Sequence, residues 1–276
     1  MSALGGLHIL GLRARSTPPA LEPSAEQSPV VAAQKPDPLV IRLEALGAIC
    51  HNYPVIKIEP AGADDERVKQ QVMHFSDYNK AIVISQHAAQ LSWWWLDRYW
   101  PMLPVGIDYF AVGPSSAQAL RDQGVPVVVP DSGYSSEALL ALPALNSVRG
   151  EKIIILRGGQ GRDLLEHTLK ARGARVDCCE LYSRVVDPLH GKAIGELILA
   201  ESPLVLIYSG QVLGALLELV PKACLATLKS LPIIVPGERV ANLARGRGFK
   251  SVHLAASALA QDMEHRVLDW YTRTRQ

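Results

Sequence analysis

The feature that most constrains the fold is an internal repeat. Residues 111–124 read AVGPSSAQALRDQG, and residues 235–248 read VPGERVANLARGRG. Four residues of the first segment recur 124 positions later (237 − 113): Gly113, Ala117, Arg121 and Gly124. Each copy has the pattern of a strand that ends at a glycine and leads into a helix. A chain with two copies of one junction is predicted to form two similar domains.

Three further pairs of segments match: 81–85 with 205–209, 43–47 with 169–173, and 9–13 with 153–157. Their offsets are 124, 126 and 144 residues, so the excess of 18 residues (144 − 126) lies between positions 13 and 43. That interval contains residues 16–38, which are rich in Pro, Ala, Ser and Gln. We interpret 16–38 as a disordered-like insertion, and expect residues 16–35 to be dispensable for the core.

Short apolar runs alternate with helical patterns along the chain, which is typical of parallel sheets covered on both faces. Helices are expected at 135–142, 161–172, 211–219 and 240–247. The predicted strands are 7–13, 48–58, 80–85, 108–113, 126–130, 152–157, 175–183, 204–209, 232–236 and 250–255. These ten strands divide into two five-stranded sheets, so the predicted fold class is α/β with two doubly wound domains.

Composition excludes several classes of protein. The net charge is +1 with 20% charged residues, so neither nucleic acid nor an anionic membrane is an expected partner. No apolar run approaches the roughly 18 residues of a membrane-spanning helix, and the N-terminus does not resemble a signal peptide. The four cysteines suggest no disulfide framework or zinc site, so we expect reduced thiols in a cytoplasmic protein.

In an open parallel sheet, ligands bind where strands end and helices begin. Loops there carry small residues, hydroxyls and guanidinium groups, which suit anionic oxygen ligands. The candidate binding residues are Ser85, Gln86, Ser115, Ser116, Arg157, Gly158, Gly159, Arg162, Ser209, Gly210, Glu238 and Arg239. Taken singly, Ser115 and Ser116 are better explained as helix caps, and a Gly-rich loop after a strand is as often an ordinary turn as a binding loop. As a set, they indicate a two-domain protein that binds an extended polyanion.

Other site types find no support. The Gly-rich loop at 157–162 lacks the Lys-Ser/Thr of a P-loop and the spacing of a dinucleotide site. Neither Ser85 nor Ser209 lies in the G-x-S-x-G motif of a serine hydrolase. The histidines show no metal-ligand spacing.

Several motifs, in order and spacing together, resemble the uroporphyrinogen-III synthase family over residues 39–265. They are FAVGPSSAQAL at 110–120, SEALL at 136–140, GEKIIILRGG at 150–159, LYSR at 181–184 and GERVANLA at 237–244. One departure is that members of the family usually carry Thr-Arg-Pro after the first strand, whereas this chain has Leu12-Arg13-Ala14. We therefore assign no site residue to the first loop.

The resemblance implies two flavodoxin-like domains joined by a two-stranded connector. Residues 1–58 and 188–276 would form the first domain and residues 62–183 the second, with the repeated junctions facing a shared cleft. It also implies cyclisation of hydroxymethylbilane to uroporphyrinogen III, with inversion of ring D and loss of water, in haem, sirohaem and cobalamin synthesis. By the same resemblance Tyr182, at the end of a strand, lies at the cleft and acts on the departing hydroxyl.

The resemblance implies no cofactor and no metal. The expected protein is a monomer in transient contact with the enzyme that supplies its substrate. The residues alone leave a second reading open, a two-domain nucleotide-sugar transferase or small-anion binding protein, because such a cleft is generic. The isomer of the cyclised product distinguishes the two readings.

Overall fold

The computed structural model describes residues 3–13, 37–159 and 163–275. Most of the predicted insertion at 16–38 lies outside these residues, and so does the candidate binding residue Arg162. The described residues divide into two compact units. One contains residues 3–13, 37–57 and 185–275, and the other contains residues 58–159 and 163–184.

Strands and helices alternate along the described chain. The strands are β1 (His8–Gly11), β2 (Ile49–Asn52), β3 (Ile56–Pro60), β4 (Lys80–Val83), β5 (Asp108–Ala111), β6 (Val127–Val128), β7 (Lys152–Gly158), β8 (Arg175–Val186), β9 (Leu204–Leu206), β10 (Pro232–Val235) and β11 (Ser251–Leu254). The helices are α1 (Pro38–Ala45), α2 (Glu66–Met73), α3 (Gln86–Tyr99), α4 (Pro114–Arg121), α5 (Ser136–Leu140), α6 (Pro143–Asn146), α7 (Leu164–Ala171), α8 (Gly191–Glu201), α9 (Gly210–Leu219), α10 (Leu225–Ser230), α11 (Glu238–Gly246) and α12 (Ala260–Thr274). Short 3-10 turns lie at Phe75–Asp77, Pro188–His190 and Lys222–Cys224.

The strand order explains the internal repeat. One sheet has the order β2-β1-β9-β10-β11, and the other has β8-β7-β4-β5-β6 with β3 added beyond β8. The repeated segments put β1 and β7, β9 and β4, and β10 and β5 at matching places in the two sheets. Neighbouring strands are parallel throughout the first sheet. They are also parallel in the second sheet from β8 to β6. The prediction of two similar doubly wound α/β folds is confirmed.

The segment 48–58 differs from the expected single strand. It forms β2 and β3, which belong to different sheets, with Tyr53-Pro54-Val55 between them. The regular pairing of β2 with β1 ends at Asn52, and the N–H groups of Tyr53 and Val55 then donate to the carbonyls of Gly11 and Leu12 at 2.8 and 3.4 Å. Pro54, which has no N–H group to donate, is tolerated here because β2 is the edge strand of its sheet. The strand β3 then joins the second sheet beside β8. The described residues therefore contain eleven strands rather than ten.

Helices cover both faces of each sheet. In the unit of residues 58–184, α2, α3 and α4 cover one face and α5, α6 and α7 cover the other. Helix α3 carries the tryptophan-rich segment Trp93-Trp94-Trp95 in the first of these layers, where Trp95 is fully buried and Trp94 nearly so. Removing a buried aromatic side chain of this size costs about 3–5 kcal/mol, so this segment stabilises the layer that positions the start of α3.

Within the described residues, no single helix has both the length and the apolar character needed to span a membrane. The segments Gly210–Leu219 and Lys222–Ser230 meet that condition only when they are taken together, and they are bent by 117°.

Candidate active site

The carboxyl end of β4 in the unit of residues 58–184 leads directly into α3. Ser85 is the N-cap of this helix, and its hydroxyl accepts a hydrogen bond of 3.0 Å from the backbone N–H of Ala88. Serine suits this position because its oxygen replaces a carbonyl that the first turn of a helix lacks. The sequence thus fixes the Ser85 hydroxyl at the edge of the sheet.

The same hydroxyl contacts Tyr182. The Ser85 Oγ and Tyr182 Oη atoms lie 3.0 Å apart, which is a hydrogen bond in which either oxygen can donate. Tyr182 is only 5% exposed, although it lies near the end of β8. Its phenol is therefore held in one place by a partner and by its packing.

A β-bulge directs Tyr182 to this face of the sheet. Arg157 pairs with Glu180 but Gly158 pairs with Tyr182, so the register shifts by one residue between them. Alternation alone would place Cys179 and Leu181 on one face and Tyr182 on the other, yet all three belong to one hydrophobic cluster. A bulge re-aims side chains in this way.

The end of β7 packs directly against the Tyr182 ring. A Cβ atom added to Gly158 would lie 2.6 Å from both Cε2 and Cζ of Tyr182, so only glycine fits there. The N–H of Gly159 donates a hydrogen bond of 2.7 Å to the Tyr182 carbonyl. The Gly158-Gly159 pair therefore allows β7 to approach the phenol closely and holds its backbone.

His87 also lies beside the phenol. Its ring centroid is 5.7 Å from that of Tyr182, at a tilt of 55°. Burial lowers the pKa of His87, and the nearby positive charge of Arg184 lowers it further. The imidazole is therefore neutral at physiological pH. Sequence reasoning did not select His87 as a site residue, although it belongs to a loop that was selected.

Arg157, which precedes Gly158 in β7, is almost fully buried. It is 5% exposed, and its Nε donates to the carbonyl of Gly158 at 3.1 Å. One terminal nitrogen pairs with Asp163 at 3.3 Å. These contacts fix the guanidinium at the carboxyl end of β7.

The two serines at the start of α4 have different surroundings. Gly113 is the N-cap, Ser115 is exposed to solvent, and Ser116 is buried at 6% exposure. Only Ser115 offers its hydroxyl openly at the end of β5. The two positions are therefore not interchangeable as ligand contacts.

The other unit repeats part of this arrangement. Ser209 caps α9 by accepting a hydrogen bond of 3.2 Å from the N–H of Val212. Arg13, which follows β1, lies over the ring of Tyr208 at 5.0 Å from its centroid. Such a stacked guanidinium is a cation–π contact. This edge therefore holds a hydroxyl and a cation, but the described residues place no tyrosine hydroxyl on Ser209.

The remaining predicted residues of this unit lie at the starts of α9 and α11. Gly210 packs closely against α11, because a Cβ there would come within 2.9 Å of a Leu243 methyl carbon. Glu238 is exposed and accepts a hydrogen bond of 2.9 Å from Arg245. Arg239, the second residue of α11, is also exposed.

A cleft of about 290 Å³ opens at the carboxyl edge of the second sheet, on the face covered by α5 and α7. Its walls combine apolar, hydroxyl and charged side chains. They are Ile84, Val112, Tyr134, Ser135, Ser136, Ile155, Arg157, Leu165 and Glu166.

Comparison with known proteins identifies the family. The model of the family described as uroporphyrinogen-III synthase HemD matches residues 37–263. The uroporphyrinogen-III synthase of Escherichia coli is 35% identical over 228 residues, covering 80% of this chain and 90% of that protein. The Salmonella typhimurium protein of the same name is 34% identical over 224 residues, with the same two coverages. The chain belongs to the uroporphyrinogen-III synthase family.

Solved structures of family members share the fold. A mutant uroporphyrinogen III synthase from Thermus thermophilus superposes with a TM-score of 0.57 at 19% identity, over 98% of this chain and 99% of that one. The Helicobacter pylori protein gives a TM-score of 0.56 at 13% identity, over 80% of this chain and 93% of that one. The two-sheet α/β architecture is therefore that of the family.

Four of the predicted site residues come together around one phenol: Ser85, Gly158, Gly159 and Tyr182. Gln86, exposed at the start of α3, and Arg157 lie on the same edge of the sheet. Ser209, Gly210, Glu238 and Arg239 belong to the other unit. Sequence reasoning did not select Tyr134, Ser136 or Glu166 of the cleft, since each also fits an ordinary helix start.

Proposed function

We propose that this member of the uroporphyrinogen-III synthase family cyclises hydroxymethylbilane to uroporphyrinogen III, with Tyr182 as the proton donor to the departing hydroxyl. The observation that carries the assignment of Tyr182 is its hydrogen bond of 3.0 Å to Ser85 at the carboxyl edge of the sheet. A buried phenol with a fixed hydroxyl is suited to donate a proton in one direction.

The chemistry needs one proton given and one proton returned. The terminal hydroxyl takes a proton and leaves as water, which produces an electrophilic azafulvene. The ring at the far end, ring D, attacks through its substituted α-carbon, and the spiro intermediate fragments and closes again with ring D inverted. The final ring closure releases a proton from the unsubstituted α-carbon, which restores the phenol. The net change is the loss of one water molecule.

Orientation is the larger part of the task. Without a catalyst the linear substrate closes directly to the symmetric type I isomer. The protein therefore has to hold the substrate so that ring D attacks through its substituted α-carbon. Carboxylates of the substrate would be held by Ser115, Gln86 and the buried cation of Arg157, while Gly158 and Gly159 allow the close approach of β7 to Tyr182. Each exposed helix start adds about 0.3–1 kcal/mol per carboxylate, so several contacts are needed together.

The unit that contains Ser209 offers a second set of donors. We infer that Ser209, Gly210 and Arg239 bind further carboxylates of the same substrate, and that Arg13 adds a cation beside Tyr208. Glu238 does not fit this role in the same way, because its carboxylate already pairs with Arg245 and would repel an anion. Its proposed part is to orient the start of α11.

The proposal extends to the oligomeric state and cellular location of the enzyme and to Arg162. We further propose that the enzyme acts as a cytoplasmic monomer and meets the enzyme that supplies its substrate only transiently. Arg162 is proposed to extend the anion-binding loop after β7, since it follows the glycines at 158, 159 and 161 in the sequence.

The test of the proposed function supplies hydroxymethylbilane to the purified chain and separates the product isomers. Type III product at a rate above the spontaneous background supports the proposal. A product that remains type I alone, with the chain folded by circular dichroism, overturns it.

A further inference from the structure

We propose that the cleft beside Tyr134 in the unit of residues 58–184 binds a single pyrrole ring of the substrate. The cleft would recognise the N–H group of that ring and one carboxylate substituent on it. This inference rests on the proposed function, because it takes the substrate to be a chain of pyrroles. It adds a binding site whose distinguishing residues, Tyr134, Ser136 and Glu166, lie outside the set expected from sequence.

The size of the cleft limits its occupant. At about 290 Å³ it lies at the lower end of small-molecule sites, which run from roughly 300 to 1,000 Å³. A four-ring substrate is too large for this space. One five-membered ring with its short side chains matches it, so the cleft would hold one end of the substrate.

Apolar side chains form the part of the cleft that a flat ring requires. Ile84 and Val112 follow β4 and β5, Ile155 projects from β7, and Leu165 lies on α7. Ile155 and Leu165 are almost fully buried. A pyrrole ring placed against these four side chains would exchange its contact with water for contact with hydrocarbon, which is favourable at about 25 cal/mol per Å² of apolar surface.

Glu166 supplies an acceptor for the ring N–H group. One of its carboxylate oxygens accepts from Lys170 at 2.7 Å, and the other accepts from the Cys178 thiol at 3.3 Å. Each carboxylate oxygen has two acceptor positions, so a ligand N–H can still bind. The hydrogen bond from Lys170, followed by that from Cys178, lowers the pKa of Glu166 and keeps it ionised.

Arg157 and two hydroxyls supply donors for an acid side chain. The guanidinium has five N–H groups, and among the described residues it donates to Gly158 and Asp163 and lies close to Cys178, so these contacts do not use all five. Tyr134 and Ser136, which both carry a hydroxyl, line the same cleft. The guanidinium would therefore bind a carboxylate at the end of the cleft where it meets the sheet.

The presence of one negative side chain, Glu166, and one positive side chain, Arg157, in the same cleft indicates the class of ligand. A purely anionic ligand such as phosphate would meet the negative charge of Glu166, and a purely cationic one would meet Arg157. A ring that carries both an N–H donor and a carboxylate satisfies both side chains. Among simple chemical groups, a pyrrole with an acetate or propionate substituent has this combination.

The experiment uses a monopyrrole with one acetate and one propionate substituent as the probe. It is titrated into the full ¹⁵N-labelled chain, and the amide signals of Val112, Ser136 and Glu166 are followed. The expected result is saturable shifts at these three positions. In Glu166→Gln the affinity falls about tenfold, as expected for the loss of a charge-assisted hydrogen bond.

A second variant tests the space rather than the charge. Ser136→Tyr fills the mouth of the cleft and is expected to abolish the shifts at Val112 and Glu166. Ser76→Tyr is the matched control, since Ser76 is exposed and precedes β4 at the opposite edge of the sheet. It should leave binding unchanged, and circular dichroism shows whether each variant is folded.

The outcomes separate this inference from the proposed function. Absence of saturable shifts at the cleft, from a chain that still forms type III product, overturns the pyrrole site and leaves the activity intact. Shifts that persist unchanged in both Glu166→Gln and Ser136→Tyr also overturn it. A chain that binds the monopyrrole in the cleft but forms no type III product would retain the site and contradict the activity.

Discussion

Gly158 leaves no room for a side chain beneath the ring of Tyr182, because a Cβ atom there would lie 2.6 Å from two ring carbons. Gly158→Ala is therefore expected to displace the phenol. Relieving such a contact costs about 1–3 kcal/mol of stability, and if Tyr182 has the proposed role, its displacement should lower turnover by roughly a hundredfold. The measurements are the melting temperature and the rate of type III formation.

Gly159→Ala is the matched control for stability. A Cβ at Gly159 would lie 3.5 Å from a Glu180 oxygen, which is an ordinary contact. Its melting temperature should stay above that of Gly158→Ala. If Gly158→Ala forms the type III isomer at the parent rate, the activity does not depend on the close contact between Gly158 and the Tyr182 ring.

Ser85 and Ser209 cap their helices alike, but only Ser85 also contacts a tyrosine hydroxyl among the described residues. Replacing either serine by alanine should cost about 0.5–2 kcal/mol of stability through the lost cap. Ser85→Ala should in addition lower turnover by roughly five- to tenfold, because the phenol loses the partner that orients it.

A double-mutant cycle isolates the contact between Ser85 and Tyr182. If Ser85 acts through the phenol, Ser85→Ala has no further effect on turnover in the Tyr182→Phe background. Ser209→Ala gives the stability loss expected from a cap alone. Rate losses that simply multiply in the double variant would separate Ser85 from Tyr182.

Ser115 is exposed at the second position of α4, whereas Ser116 is buried. Ser115→Asp should raise stability by about 0.3–1 kcal/mol, because a negative charge is favourable at a helix start. The same charge should repel substrate carboxylates and raise KM, most strongly at low salt. Urea unfolding and KM at two salt concentrations test the two signs. An unchanged KM at low salt would exclude Ser115 from binding.

His51 makes stability depend on pH. Burial lowers its pKa, and His8, with its ring nitrogen 3.2 Å away, lowers it further against the weaker opposing effect of Glu201. Because the folded state disfavours the protonated form, the unfolded chain takes up the proton first as pH falls. Stability is therefore complete above about pH 6.5 and declines below it.

The test compares urea midpoints at neutral and mildly acidic pH for the parent and for His51→Gln. The parent should lose more stability on acidification than the variant. Equal losses would show that the neighbours of His51 do not disfavour its protonated form in the folded chain. Other histidines with lowered pKa, His87 and His253, account for the loss that remains in the variant.

Much of the fold could be predicted from sequence because the repeat carries topological information. The pairs around Gly113 and Gly237, and around Ser85 and Ser209, lie at matching strand ends in the two sheets. Pro54 marks where an expected strand divides, although its effect on sheet membership depends on pairing with the distant β8. Long-range pairing leaves little trace in local periodicity.

The site was harder to predict, because its geometry depends on a bulge. Tyr182 and Gly158 were expected to contribute separately, and only the register shift between β7 and β8 places the ring over the glycine. Ser85 was predicted to bind substrate, and its hydrogen bonds to the start of α3 and to the phenol were not foreseen. Neither relationship follows from residue type or spacing.

The most direct test of the proposed mechanism replaces Tyr182 by phenylalanine, which keeps the ring over Gly158 and removes only the hydroxyl. Turnover should fall ten- to a thousandfold, within the range of general acid catalysis, while the melting temperature changes by only a few degrees. Some activity should remain, because the azafulvene also forms without a catalyst. A Tyr182→Phe variant that forms the type III isomer at the parent rate would contradict the role assigned to Tyr182.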